Sequence, residues 1–426
     1  MLLKTPLLSL SRLLPMASLR VPLLCVVTVL VVAASGGPRP PAPRPGLHDP
    51  DARHLPLHGL DQMESAKALS LPPASAQPAP LPPEVSLNGP LAPHEVFGFA
   101  PYWTLDASGG FDLRDLSTVG YFGVDVNPDG SLQRSGNGWE GFQSQALADL
   151  VSRAHGAQDR VVLTAKTFDA PTLHRLVTDQ SASAVLVAQL AEAIRSKAMD
   201  GANLDFEGTG GADRSAMAAF VRRVADGLHA EGAHWQVTVD TYASSAGDSS
   251  GWFDVRAMEP SVDAFFVMAY DMDESGVASP TAPLTGYSTN DEAAVSSYVA
   301  AVPRNKVLLG VPFYGYDWVT GGNAPNQAAT GAPTPVSYAQ VSAGAHPSQW
   351  DDVGKVPWTA YQQDGHWHEV YYDDPTSIAL KAQLASSYRI LGTGIWALGM
   401  DGNSPAMMAA LVGGHRPIKP SLAGAG

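Results

Sequence analysis

Between residues 96 and 399, short runs dense in β-branched and aromatic residues alternate with stretches whose apolar positions recur every three or four residues. The runs are VFGFAPYW (96–103), TVGYFGVDV (118–126), RVVLTAK (160–166), GANLDFE (201–207), WQVTVDTY (235–242), VDAFFVMAY (262–270), KVLLGVPFY (306–314) and GTGIWALG (392–399). Their length and composition suit strands buried on both faces. Between them, Ser181 to Ala198 has apolar residues at helical spacing, and Ser215 to Glu231 repeats the pattern through Phe220, Val224 and Leu228. Eight strands separated by helical crossovers predict an α/β fold, a closed (β/α)8 barrel of the TIM type, rather than an open sheet. Residues 318–375 are too long for a simple loop. Within them WTAYQQDG and HEVYYDDP read as strands, so a small α+β insertion is expected between barrel strands 7 and 8.

The alternation fails upstream. Lys4, Arg12 and Arg20 precede an apolar run from Val21 to Ala34 that ends in small residues, the order of a secretory signal, with an uncleaved N-terminal anchor as the alternative. Residues 36–93, with PRPPAPRPG and PPASAQPAPLPPE, show no sustained period; such Pro-rich sequence favours extended polyproline II and cannot bury a core. The expected organisation is a signal or anchor (1–35), a Pro-rich disordered linker (36–93), a catalytic barrel (94–413) and a flexible tail (414–426).

Composition narrows the chemistry. The 426 residues carry 26 basic and 41 acidic side chains, a formal charge of −15, which argues against a nucleic-acid partner or an anionic membrane surface beyond the possible anchor. The one cysteine, Cys25, lies in the apolar run, so intramolecular disulfides and thiolate zinc sites are excluded. Gly208, Gly210 and Gly211 lack a full G-x-G-x-x-G, and they are read instead as giving substrate room after Glu207. Ser244 and Ser245 lack a G-x-S-x-G elbow, and His366 with His368 makes a poor metal set. No cofactor and no metal are expected.

In such a barrel the chemistry sits at the C-terminal strand ends. Here those ends carry Tyr102, Trp103, Asp125, Asp205, Glu207, Tyr242, Tyr270, Asp271, Tyr314, Tyr316 and Trp396, an aromatic, acid-centred mouth that suits a carbohydrate. In MDGANLDFEG (199–208), side-chain alternation puts Asn203, Asp205 and Glu207 on one face and Leu204 and Phe206 on the other. The two carboxylates stand about 6.6 Å apart at the backbone. Crowding them in a partly desolvated mouth raises the proton affinity of at least one, which makes Glu207 the natural general acid and Asp205 its orienting partner.

The segment D-G-A-N-L-D-F-E resembles the D-x-x-D-x-D-x-E signature of family 18 glycoside hydrolases, the chitinase-like barrels. VFGFAPYW, TVGYFGVDVNPDGSL, FFVMAYDM and GTGIWALG resemble that family's first, second, sixth and eighth strands in order, so the resemblance spans nearly all of 94–412. It implies Glu207 as the acid protonating the glycosidic oxygen, Asp205 as the residue holding and polarising the substrate's 2-acetamido group, and Tyr270 as the donor to that group's carbonyl. It implies Trp396 as the floor under the sugar at the cleavage site, Asp271 as a contact near the cleaved sugar, and Met268 as packing beside them. Asp200, Asn203, Tyr102, Trp103 and Tyr314 complete the expected substrate-binding set.

The implied activity is retaining, substrate-assisted hydrolysis of β-linked N-acetylglucosamine polymers of chitin or peptidoglycan type by an exported or cell-envelope enzyme; the alternative is a non-catalytic, lectin-like relative. Two departures stand out. Asn203 replaces the signature's middle Asp, removing an inner carboxylate that could share a proton with Asp205, and VLTAKTFD replaces a third-strand S-x-G-G, bringing in Lys166 and Thr167.

Overall fold

The computed structural model describes residues 93–413 together with 416, 417 and 419. The expected signal or anchor, Cys25 and all of the expected linker except Pro93 lie outside the described residues. Seven strands come first: β1 (Pro93–Pro101), β2 (Thr118–Asp125), β3 (Arg160–Thr167), β4 (Gly201–Phe206), β5 (Gln236–Tyr242), β6 (Ala264–Met268) and β7 (Val307–Pro312). The chain then builds a second sheet from β8 (Tyr314–Thr320), β9 (Thr334–Ser337), β10 (Gln349–Asp351), β11 (Val356–Gln363) and β12 (His366–Tyr371), and returns as β13 (Gly392–Trp396). Strands β1 to β7 pair in parallel in chain order, β7 pairs with β13, and β13 pairs with β1. The result is the closed eight-stranded parallel barrel, with an antiparallel five-stranded insertion between its seventh and eighth strands.

Several strand ends differ from the sequence reading; the first strand stops at Pro101, with Tyr102 and Trp103 opening a 3-10 helix, and two more differences bear on the site. The sixth strand ends at Met268 rather than residue 270, because Ala269 N–H turns back to donate to Val267 O at 2.8 Å and Asp271 lies in the left-handed region (φ 55°). Tyr314, read as the end of the seventh strand, opens the insertion instead: Phe313 N–H donates to Trp396 O at 2.7 Å, and Tyr314 pairs with Ser337 on β9.

The barrel interior below the mouth is filled by aromatic rings. Phe97, Phe99 and Phe266 are fully buried, with Phe266 edge-on to Phe97 at 5.6 Å and to Phe99 at 4.9 Å. Edge-to-face rings add to area burial because each positive rim meets a negative face. Gly394 on β13 makes room for them, since a Cβ there would lie 2.2 Å from the Phe266 ring. The helices cover the outside as their periodicity predicts. The one at Gln180–Ser196 buries Ala182, Leu186, Leu190 and Ile194, and Asp179 caps it by accepting from Ser181 N–H at 2.9 Å.

The segment carrying the insertion back to β13 is clamped by a buried ion cluster. Lys381 of the helix Pro375–Tyr388 donates to Asp373 at 2.8 Å and to Ala282 O at 2.6 Å, with Asp291 at 3.5 Å; all three charged side chains are essentially inaccessible. Burial pushes Asp291 up to about 8, the lysine opposing and the charge of Asp373 adding to the rise. At the chain's end, in the segment expected as a flexible tail, Arg416 and Pro417 pair in parallel with Pro93 and His94. Lys419 Nζ there reaches Asp159 at 2.6 Å.

Replacing Gly394 with Ala forces the Phe266 ring out of its slot. The expected cost is about 2 kcal/mol of unfolding free energy, read as a lower denaturation midpoint with unchanged slope.

Candidate active site

Strand β4 places the acids. Its register against β3 sets Asp205 beside Lys166, and its register against β5 sets Asn203 beside Thr238 and Leu204 beside Val239. Glu207 follows the last strand residue, and its N–H still donates to Thr167 O at 3.2 Å, which holds the side chain at the rim. Trp252 Nε1–H donates to Phe206 O at 2.7 Å and fixes the next turn. Gly208, expected to leave space for substrate, instead lies against the Trp252 indole, where a Cβ would come within 2.6 Å of the ring.

One pocket at the C-terminal end of the barrel is lined by Phe122, Phe168, Asp205, Glu207, Asp240, Met268, Tyr270 and Trp396. Asp205, Glu207, Met268, Tyr270 and Trp396, all expected from the sequence, therefore meet in one place. Trp396 stands perpendicular to Phe122 at 4.6 Å and packs on Phe99 at 5.3 Å, so its indole closes the top of the aromatic fill. Trp103, at 6.3 Å from Trp396, extends this wall. Tyr102 sets its ring edge to Trp103 and faces Gly138 and Gly141 of the helix Asn137–Gln143.

The electrostatics follow from crowding in a dry site. Burial pushes the Glu207 carboxyl well above its ordinary value, and the charges of Asp205, Asp240 and Asp271 push it further, against a smaller opposing pull from Lys166. Glu207 is thus biased toward its protonated form, with Oε2 making no hydrogen bond to the described residues. Burial and the same carboxylates push the Tyr270 hydroxyl up, so it stays a donor. Lys166 Nζ lies 2.9 Å from Asp125 and over the rings of Phe122 and Phe168 at 5.3 and 5.2 Å, on the wall where the sequence departs from S-x-G-G.

Asp271 forms a shelf beside the pocket. Its Oδ1 accepts from the hydroxyls of Tyr314 at 2.5 Å and Tyr316 at 2.8 Å, both on the insertion's first strand. Burial raises its carboxyl to about 7, while the two tyrosine hydrogen bonds pull the other way. Tyr314 thus acts on Asp271 and lies outside the lining of the pocket.

Asp200 requires a correction. It precedes β4, and its carboxylate lies 2.9 Å from His155 Nε2 and accepts from Val161 N–H at 2.7 Å, at the N-terminal end of the strands. Seven residues at about 3.3 Å each separate it from Glu207, so it braces the barrel floor and cannot line the substrate site. Asn203 is also below the mouth: fully buried, it donates to Asp240 Oδ2 at 2.7 Å and accepts from Thr238 at 2.6 Å. Among the described residues no group of three or more His, Cys, Asp or Glu is arranged to hold a metal ion.

The family profile described as glycosyl hydrolases family 18 matches residues 99–401, most of the barrel and all of this pocket. The chain belongs to glycosyl hydrolases family 18. Over 241 residues it is 29% identical to the Bacillus subtilis (strain 168) protein YdhD, whose name describes a sporulation-specific glycosylase, covering 55% of this chain and 56% of that one. Over 278 residues it is 29% identical to the Homo sapiens di-N-acetylchitobiase, covering 58% of this chain and 69% of that one. The fold is similar to that of the spore cortex-lytic enzyme SleL of Bacillus megaterium QM B1551, with a TM-score of 0.66 at 19% identity over 80% of each chain.

Sequence reasoning passed over three residues that line this family 18 pocket: Phe122, Phe168 and Asp240. Asp240 carried a usable signal. In WQVTVDTY it shares a face with Thr238 and Tyr242, and the loss of an acid at Asn203 invites a search for one on the adjacent strand.

Changing Tyr316 to Phe removes one donor from the Asp271 carboxylate. Because that bond favours the charged form, the Asp271 pKa should rise above about 7, measured by carboxyl carbon NMR against pH.

Proposed function

We propose that this protein hydrolyses β-1,4-linked N-acetylglucosamine polymers of chitin or peptidoglycan type, with retention and with the substrate's own acetamido group as nucleophile. The observation that carries the reading is a buried carboxyl at the rim, Glu207, next to a second carboxyl, Asp205, in one pocket with Tyr270 and Trp396, where burial raises the Glu207 proton affinity. Family membership and the names of the chitobiase and cortex-lytic relatives support the substrate class.

In this scheme the sugar rests on Trp396. Glu207 donates its proton to the glycosidic oxygen as the bond to the anomeric carbon breaks. The acetamido oxygen attacks that carbon from the opposite side, Asp205 accepts the acetamido N–H, and Tyr270 donates to the acetamido oxygen. Water then opens the oxazolinium ring as the Glu207 carboxylate takes its proton. Two inversions give net retention. Asp271 holds the cleaved sugar, and the Lys4-to-Ala34 segment directs export to the cell envelope or beyond. A non-catalytic, sugar-binding barrel is the rival reading; the presence of Glu207 together with Asp205 and Tyr270 favours catalysis over it.

Incubation with chitooligosaccharides and with purified peptidoglycan, followed by mass spectrometry, should reveal new reducing N-acetylglucosamine ends. New reducing N-acetylmuramic acid ends would overturn the specificity, and no release from either polymer would favour the rival. Glu207→Gln should lower kcat by about 10² to 10⁴ while oligosaccharide binding by calorimetry is retained. In wild type, kcat/KM should fall as pH rises through the Glu207 pKa, well above the ordinary glutamate value, because the acid is lost there.

A further inference from the structure

The signature's middle position is an asparagine, yet the site is not short of an inner carboxylate. On β5, Asp240 is buried with 2% exposure and faces inward at the level of Asp205. The register that sets Leu204 opposite Val239 brings Asp205 and Asp240 side by side on parallel strands, which lie about 4.8 Å apart. Asn203 Nδ2–H donates to Asp240 Oδ2 at 2.7 Å, and Thr238 Oγ1–H donates to Asn203 Oδ1 at 2.6 Å, so the amide's orientation is fixed. With Oδ2 occupied, Asp240 Oδ1 remains, buried and without a hydrogen-bond partner among the described residues.

We propose that Asp240 replaces the missing acid of β4 as the proton-sharing partner of Asp205, moved to the neighbouring strand and aimed by Asn203. Resting on the functional reading above, it is a positioning residue that acts through Asp205. Before substrate arrives, one proton is shared by the two carboxyls. When the acetamido group enters, that proton resides on Asp240 Oδ1, and Asp205 is left as the anion that accepts the substrate N–H. No proton is gained or lost by the pair.

The surroundings agree. Burial first, and the Asp205 charge second, push Asp240 well above its ordinary value, with the Asn203 hydrogen bond opposing them. Glu207 and Asp205 face it from β4 and the Tyr270 hydroxyl from the turn after β6; Asp271 adds negative charge and Lys166 on β3 is the nearby cation. Apart from Lys166 these neighbours are acids or a neutral phenol, so the shared proton is held tightly.

Three variants test this, each compared with wild type on a chitooligosaccharide. Asp240→Asn should lower kcat by about tenfold or more with little change in KM. It should also move the acidic limb of the pH profile to higher pH, because the Asp205 anion loses the shared proton that stabilises it. The exchange N203D/D240N returns the acid to β4 and keeps the inter-strand hydrogen bond with its direction reversed. It should recover most of kcat and move the limb back, whereas Asn203→Asp alone should gain nothing over wild type. If Asp240→Asn matches wild type in kcat and pH profile, or if the folded exchange variant stays as slow as Asp240→Asn, the proposal fails.

A second measurement needs no turnover. With carbon-labelled aspartate carboxyls, Asp205 should titrate in two steps in wild type and in one step in Asp240→Asn. Identical titrations overturn the shared proton. A wild type that titrates in two steps but cleaves nothing overturns the functional reading alone.

Discussion

Four carboxyls, Asp205, Glu207, Asp240 and Asp271, occupy one water-poor mouth, with Lys166 nearby already engaged by Asp125. Like charges this close cannot all ionise, so each group's protonation depends on the others. Much of the surrounding structure sustains that crowding. The Phe97, Phe99 and Phe266 fill removes water from below, the Trp396 indole caps the fill, and Lys166 partly offsets the negative charge. A flatter or wetter mouth would ionise all four and leave no acid to donate.

The insertion contributes through chemistry at a distance. Tyr314 and Tyr316 belong to its first strand, and both hydroxyls close on Asp271, so the second sheet tunes a carboxyl that the barrel supplies. The buried Lys381 cluster then ties Ala282, in the turn after β6, to the helix that leads back to β13. Breaking such a cluster by removing one member strands buried charge, and the neighbouring Thr281 carries the clamp to the turn by donating to Asp271 Oδ1 and accepting from Met272 N–H.

The barrel was legible because its strands are buried on both faces and read as compact apolar runs, with β4 interrupted only at Asn203 and Asp205 and followed by Glu207. The acids of β4 were legible because a period of two puts polar residues inward only for a reason. The strand ends were harder to read. Tyr314 continues an aromatic run, and nothing local records that Phe313 bonds to Trp396 and turns the chain into a second sheet. Asp200 was misplaced because a linear signature gives spacing along a strand and hides which end of the barrel each position reaches. Asp240 was missed for the opposite reason: its partner lies on a different strand, and lateral register is invisible in a single chain.

The aromatic fill has one more consequence. Phe97, Phe99 and Phe266 fill the barrel beneath its acids, so in the proposed reaction water enters by the same mouth as the sugar. A chain lying across the mouth cuts the acids off from bulk solvent for as long as it stays. In the proposed scheme the water that opens the oxazolinium ring returns a proton to Glu207, so the departing part of the chain must clear the mouth before the second step can run.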